Sequence, residues 1–146
     1  MQASLAFLGK DAVAMAGAAS KEAGERDVSL TIPARPDYLV LARLALAAVC
    51  RLTPLSPEEV ADLKLAITEA ANDFVEESPP DAEEGRLDFR FRLLDDRLVL
   101  ELEGPDAEVS DMEQELGRAI IDATVDESDF GQGRTQLVKY LVARAG

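Results

Sequence analysis

The sequence predicts an α/β sandwich of the α+β kind, in which a mixed, mostly antiparallel sheet carries three helices on one face. Three observations lead there. Residues 37–52 form an apolar run too long for a strand. Residues 57–77 repeat apolar positions at three- and four-residue steps, the period of a helix with one buried face. Residues 87–93 and 98–102 alternate apolar with other residues, the period of half-buried strands. Helices gathered on one side of such a sheet bury both apolar surfaces in two layers.

The elements follow in order. Residues 1–26 are rich in Ala, Gly, Ser, Lys and Glu and have no clear period. They read as an N-terminal arm, either disordered or helical, ahead of one domain over 27–146. Val28, Leu30 and Ile32 alternate with Ser29 and Thr31 as a strand, which Pro33 and Pro36 end. The run 37–52 is apolar nearly all round and reads as a well-buried helix. Ser56-Pro57-Glu58-Glu59 is a helix start: Ser56 caps, Pro57 suits the first turn and Glu59 completes a capping box. Val60, Leu63, Ile67, Ala70 and Phe74 form that helix's inner face, and Ser78-Pro79-Pro80 stops it near Glu77.

A hairpin follows. Leu87, Phe89, Phe91 and Leu93 lie on one arm, Leu98, Leu100 and Leu102 on the other, with Asp95-Asp96 near the turn. Residues 110–124 read as a third helix with Leu116, Ala119, Ile120 and Ala123 inward. VDESDF is a short strand, Gly131-Gln132-Gly133 a tight turn, and TQLVKYL the last strand.

Composition narrows the functional classes. The chain has 146 residues, enough for one core, and 47% are hydrophobic, but aromatics are only 5%, so that core is aliphatic. The net charge of −14 opposes direct contact with nucleic acid or an anionic membrane surface, since both need clustered cations. It suits a basic protein surface. With no histidine and one cysteine, the chain has no Ser-His-Asp or Cys-His constellation and poor means of holding zinc. Cys50, inside LALAAVC, reads as a small buried residue. The first residues lack the basic start of a signal peptide, Lys10 and Asp11 interrupt their apolar run, and no stretch has the ~18 apolar residues of a membrane span. The expected location is cytoplasmic.

The segment Val28–Val75 resembles the RsbW-type anti-sigma factor kinases of the larger histidine-kinase-like ATPase group. LTIPARPDYLVLARLALAAV is similar to their first strand and helix, and LSPEEVADLKLAITEAANDFV to their second helix. RLVLELEG, LGRAIIDATVDESDF and TQLVKYL resemble their later strands and glycine boxes. The resemblance implies the histidine-kinase-like ATPase fold and a site for ATP or ADP with Mg2+. Its parts are present in altered form. Glu69 stands where a catalytic Glu belongs. Asp73 stands where an Asn that holds magnesium belongs, with Asn72 just before it. Residues four apart share a helix face, so Glu69 and Asp73 can address one site, and Asp is itself a magnesium ligand.

In the first glycine box no Asp precedes Gly104 at the family's spacing, and Glu103 is the nearest substitute for that adenine-binding residue. In the second box Glu115-Leu116-Gly117 keeps one glycine, Gly117, expected as a phosphate cradle at a helix start. Only eleven residues (105–115) form the lid between Gly104 and Leu116.

The resemblance further implies that Arg43 contacts a sigma factor. The partners it implies are a sigma factor or an anti-anti-sigma (STAS-type) protein, and a second copy of the chain paired through Val28–Ile32. Two functions stay open: a partner-switching binding module with reduced or lost nucleotide binding and no cofactor, or an ATP-dependent serine-protein kinase acting on an antagonist.

Overall fold

The computed structural model describes residues 2–8, 13–22, 25–75, 85–105, 107 and 109–141. Among the described residues, seven strands and three α-helices follow one another as β1 (Gln2–Leu8), β2 (Val13–Glu22), β3 (Glu25–Pro33), α1 (Leu39–Cys50), α2 (Pro57–Asn72), β4 (Arg86–Leu93), β5 (Arg97–Glu103), α3 (Asp111–Thr124), β6 (Glu127–Gly131) and β7 (Arg134–Tyr140). A 3-10 turn, Pro36–Tyr38, leads into α1. The strands form one sheet in the order β1-β2-β3-β4-β5-β7-β6. The sheet was expected to be mixed, yet every pairing is antiparallel.

Strand register explains the core. Leu30, Phe89, Leu102 and Thr135 lie side by side across four strands, and Val28, Phe91, Leu100 and Leu137 form the neighbouring row. Both rows face the helices, and Phe89, Phe91, Leu100, Leu102 and Leu137 are buried. The Phe89 and Phe91 rings stack with centroids 6.3 Å apart. Leu46, Leu63, Ala66, Ile67 and Ala70 close the core from above. Each large aliphatic side chain taken out of water contributes about 2 kcal/mol before the cost of ordering it. Alternate positions face away from the helices and are mostly polar, the Val99–Val138 pair apart: Arg90 pairs with Asp27 at 2.6 Å, and Arg92 and Arg134 both reach Glu101.

The capping box is formed as expected. The Ser56 side chain accepts from the Glu59 N–H (3.2 Å), and the Glu59 carboxylate accepts from the Ser56 N–H (3.1 Å). Gly133 takes φ +73° in the β6–β7 turn, where only glycine is unstrained. Cys50 is buried, and burial pushes its thiol up to about 11 although Lys64 opposes this.

Other expectations are corrected. Residues of the N-terminal segment, read as a helix or disordered arm, form β1 and β2. β2 pairs with β3, so the backbone groups of β3 gain partners that a weak local propensity gave no sign of. The boundary expected at 26/27 therefore falls inside β3. That pairing also occupies the edge expected for a second copy: Val28 to Thr31 already face β2, from Ala18 to Met15, and the outer strands are β1 and β6.

Helix α2 ends at Asn72 rather than near Glu77, because the Asp73 and Phe74 N–H groups bond back three residues and tighten the last turn. The Asp73 carbonyl accepts from the Ala107 N–H. Ser78-Pro79-Pro80 lies outside the described residues. On α3 the buried positions are Gly117 and Ile121, while Leu116, Ala119 and Ala123 are exposed and Ile120 is half-buried. Small Gly117 lets α3 lie close on α2, which turns the helix away from the face its leucine suggested. Helix α1, read as well buried, leaves Val40 and Leu44 exposed, as is Leu52 just past its end.

Candidate functional site

A cleft of roughly 380 Å3 opens between α2 and α3. Glu69, Asn72 and Asp73 supply its α2 side, and Glu113, Leu116, Gly117, Ile120 and Ile121 its α3 side. Pro36, Val75 and Val109 complete it. The helical spacing of 69, 72 and 73 puts these three on one wall. Glu69 and Asp73 are half-buried and Asn72 is exposed. Burial raises the Asp73 carboxyl above its ordinary value, Arg118 opposes the rise, and Glu69 adds to it. Arg118 itself lies over the Phe130 ring, 4.5 Å from its centroid.

Each part of a nucleotide can be tested against this geometry. Phosphates need free backbone N–H groups at a helix start. At the start of α3 one such group is already taken, since Ser110 accepts from the Glu113 N–H at 3.2 Å, and Asp111 and Glu113 place carboxylates in its first turn, which oppose an anion. Gly117, expected as the phosphate cradle, lies in the interior of α3, where its backbone belongs to the helix. A Cβ added to it would sit 3.3 Å from Glu69 Oε2. Its smallness therefore serves helix approach, not a ligand.

The adenine side fits no better. Gly104 does not line the cleft; its N–H donates to the Gly133 carbonyl at 3.1 Å, and a Cβ there would meet Leu87 at 3.0 Å and Phe74 at 3.4 Å. Glu103 is exposed and pairs in register with Asp88 and Arg134 on the sheet face away from the helices. Among the described residues no group of three or more carboxylates is arranged to hold a metal ion. Glu69, Asn72 and Asp73 are brought together on one wall of the cleft, while Glu103 and Gly104 lie outside it.

Arg43 lies on α1, apart from this cleft. Its Nη1 donates to Thr68 Oγ1 at 3.3 Å, and Thr68 Oγ1 donates to the Lys64 carbonyl at 2.8 Å. Around it the outer surface of the α1–α2 pair is aliphatic: Leu44 is 62% exposed, and Val40, Leu52 and Leu65 are also exposed. Sequence reasoning missed this stripe. The signal was the four-residue step Val40-Leu44-Ala48-Leu52, one apolar face more than a core can cover. It also missed Glu113 and Leu116 as cleft residues, which only the packing of α3 on α2 brings to Glu69. Among the described residues no helix is long and apolar enough to cross a membrane.

Comparison with known proteins agrees with the fold. The histidine kinase-like ATPase domain family matches residues 32–138. The chain is 29% identical over 106 residues to serine-protein kinase RsbW of Bacillus subtilis, covering 71% of this chain and 66% of that protein. It is 30% identical over 107 residues to a serine-protein kinase RsbW of Bacillus licheniformis, with the same 71% and 66% coverage. To that of Listeria innocua it is 28% identical over 92 residues, 62% of this chain and 59% of the relative. The chain thus spans just under two thirds of the length of the curated relatives it matches.

Proposed function

The chain belongs to the histidine kinase-like ATPase domain family, and on that footing we propose that it is an anti-sigma-like, partner-switching regulator that binds a sigma factor or a STAS-type antagonist with reduced or lost nucleotide binding. The observation that carries the loss of nucleotide is the start of α3: capped by Ser110, lined by Asp111 and Glu113, and with Gly117 held inside the helix. A helix start already neutralised in this way offers little to an anion. The relatives named above are serine-protein kinases, which supports the regulatory reading.

The partner surface in this reading is the α1 face. Arg43 supplies a cation beside exposed Val40, Leu44 and Leu65, a composition suited to a partner that brings aliphatic residues and one carboxylate. The test is direct binding of candidate sigma factors and STAS-type proteins to the full chain, with and without millimolar Mg-ATP. Binding that ignores nucleotide and fails in Leu44→Asp supports the proposal. Partner exchange that requires ATP counts against it.

The kinase reading has two observations in its favour, the kinase names of these relatives and the common wall formed by Glu69, Asn72 and Asp73. Transfer of labelled phosphate from ATP to a serine of an antagonist, abolished in Glu69→Gln, would establish it.

A further inference from the structure

The α2–α3 cleft is large and differs in character from wall to wall. It is lined by the carboxylates of Glu69, Asp73 and Glu113, and among the described residues no lysine or arginine lines it. Its α3 side also carries the aliphatic side chains of Leu116 and Ile120. Leu116 is 63% exposed, and Met112, one turn earlier on α3, is 80% exposed. Apolar side chains left open inside a concave surface gain by being covered. The carboxylates gather where the neighbouring cation, Arg118, is already engaged over Phe130. The complement is a cation carried on an apolar body. Lys and Arg side chains have that form, since their methylene stems pack while the charged head seeks an anion. A free polyamine matches the carboxylates but leaves Leu116 and Ile120 uncovered.

We infer that the cleft is a docking groove for a basic, amphipathic segment of a protein partner, whose Lys or Arg meets Glu69, Asp73 and Glu113 while an adjacent aliphatic side chain covers Leu116 and Ile120. This rests on the reading that nucleotide does not fill the cleft. The groove lies between α2 and α3, so it is separate from the α1 face around Arg43. Its carboxylates, in a chain of net charge −14, also speed the approach of a basic partner.

The test uses the full-length protein and a fluorescein-labelled helical peptide with Leu and Arg on adjacent faces, in physiological salt. Two twins serve as controls, one with Leu replaced by Ser at the same charge and one with Arg replaced by Glu. Anisotropy should show saturable binding of the first peptide alone, and amide shifts should cluster on Glu69, Asp73, Glu113 and Leu116. The double variant Glu69→Gln/Glu113→Gln should weaken binding about tenfold. The charge-matched pair Glu103→Gln/Asp129→Asn, on the far sheet face and hairpin, should leave it unchanged.

Equal weakening by both pairs, or shifts spread over the surface, overturns the groove by showing general charge attraction. Excess Mg-ATP should not displace the peptide. Displacement would remove the nucleotide-free reading but leave the groove, whereas absence of both peptide and nucleotide binding would remove the groove and leave that reading.

Discussion

The Glu69 carboxylate rests against Gly117, with Oε2 only 3.3 Å from the place a Cβ would occupy. This contact joins the wall of α2 to the interior of α3 and defines the base of the cleft. Because Gly117 lies mid-helix, alanine there gains about 1 kcal/mol of helix propensity. The neighbour it meets is the far end of a half-buried side chain, which can move by a few tenths of an ångström. Gly117→Ala should therefore be stabilising by about 0.5 kcal/mol in urea unfolding, allowing for that adjustment. Gly117→Leu should be destabilising by about 2 kcal/mol, since it overpacks the seam. A glycine serving as a phosphate loop gives no such gain with alanine.

Asp73 sets a pH dependence. Burial raises its carboxyl above 3.8, Arg118 opposing and Glu69 assisting. A raised acid holds its proton more tightly in the folded chain, so the folded state binds more protons between 3.8 and the folded value. Stability then falls as pH rises through that window, and the penalty is fully present above it. Asp73→Asn should flatten this limb and stabilise the protein at neutral pH. Unfolding curves at a series of pH values test it, and an unchanged slope contradicts it. The same variant restores the amide expected in an active relative, yet it should not create nucleotide binding, because the start of α3 is unchanged.

Arg43→Ala loses the bond to Thr68 and should cost about 0.5–1 kcal/mol of stability. Its larger effect should be on partner affinity, a loss of about tenfold or more. Thr68→Val removes the same internal bond and should keep that affinity. A comparison of the two by calorimetry against a bound partner separates a surface role from a structural one.

The capping box of α2 should contribute as local interactions do. Ser56→Ala leaves the Glu59 N–H without its acceptor and should cost about 1 kcal/mol, read from the shift of the urea midpoint at constant slope.

That box was legible in sequence because capping is decided within four residues. The β4–β5 alternation and the Gly133 turn were legible for the same reason. Where distant elements meet, the sequence was a poorer guide. Leu116 was read as core, but the close approach of α3 to α2 is made through Gly117, and the leucine is left in the cleft. The strand β2 exists through pairing with β3, and β1 through pairing with β2, which no local period reveals. For Glu103 the answer was present and overlooked: Leu98, Leu100 and Leu102 face the helices, so a strand's two-residue period turns Glu103 the other way. The shared face of Glu69 and Asp73 was readable from helical spacing, but the place of Asn72 beside them and the cleft they face were not.

The central claim is that this family member regulates by binding protein rather than nucleotide. Calorimetry of the full chain with Mg-ATP and Mg-ADP, paired with a thermal-shift series, tests it most directly, because a ligand that binds the folded state must raise its stability by mass action. The account predicts no heat and no shift at millimolar nucleotide. Micromolar binding that weakens in Glu69→Ala and Asp73→Ala would contradict it.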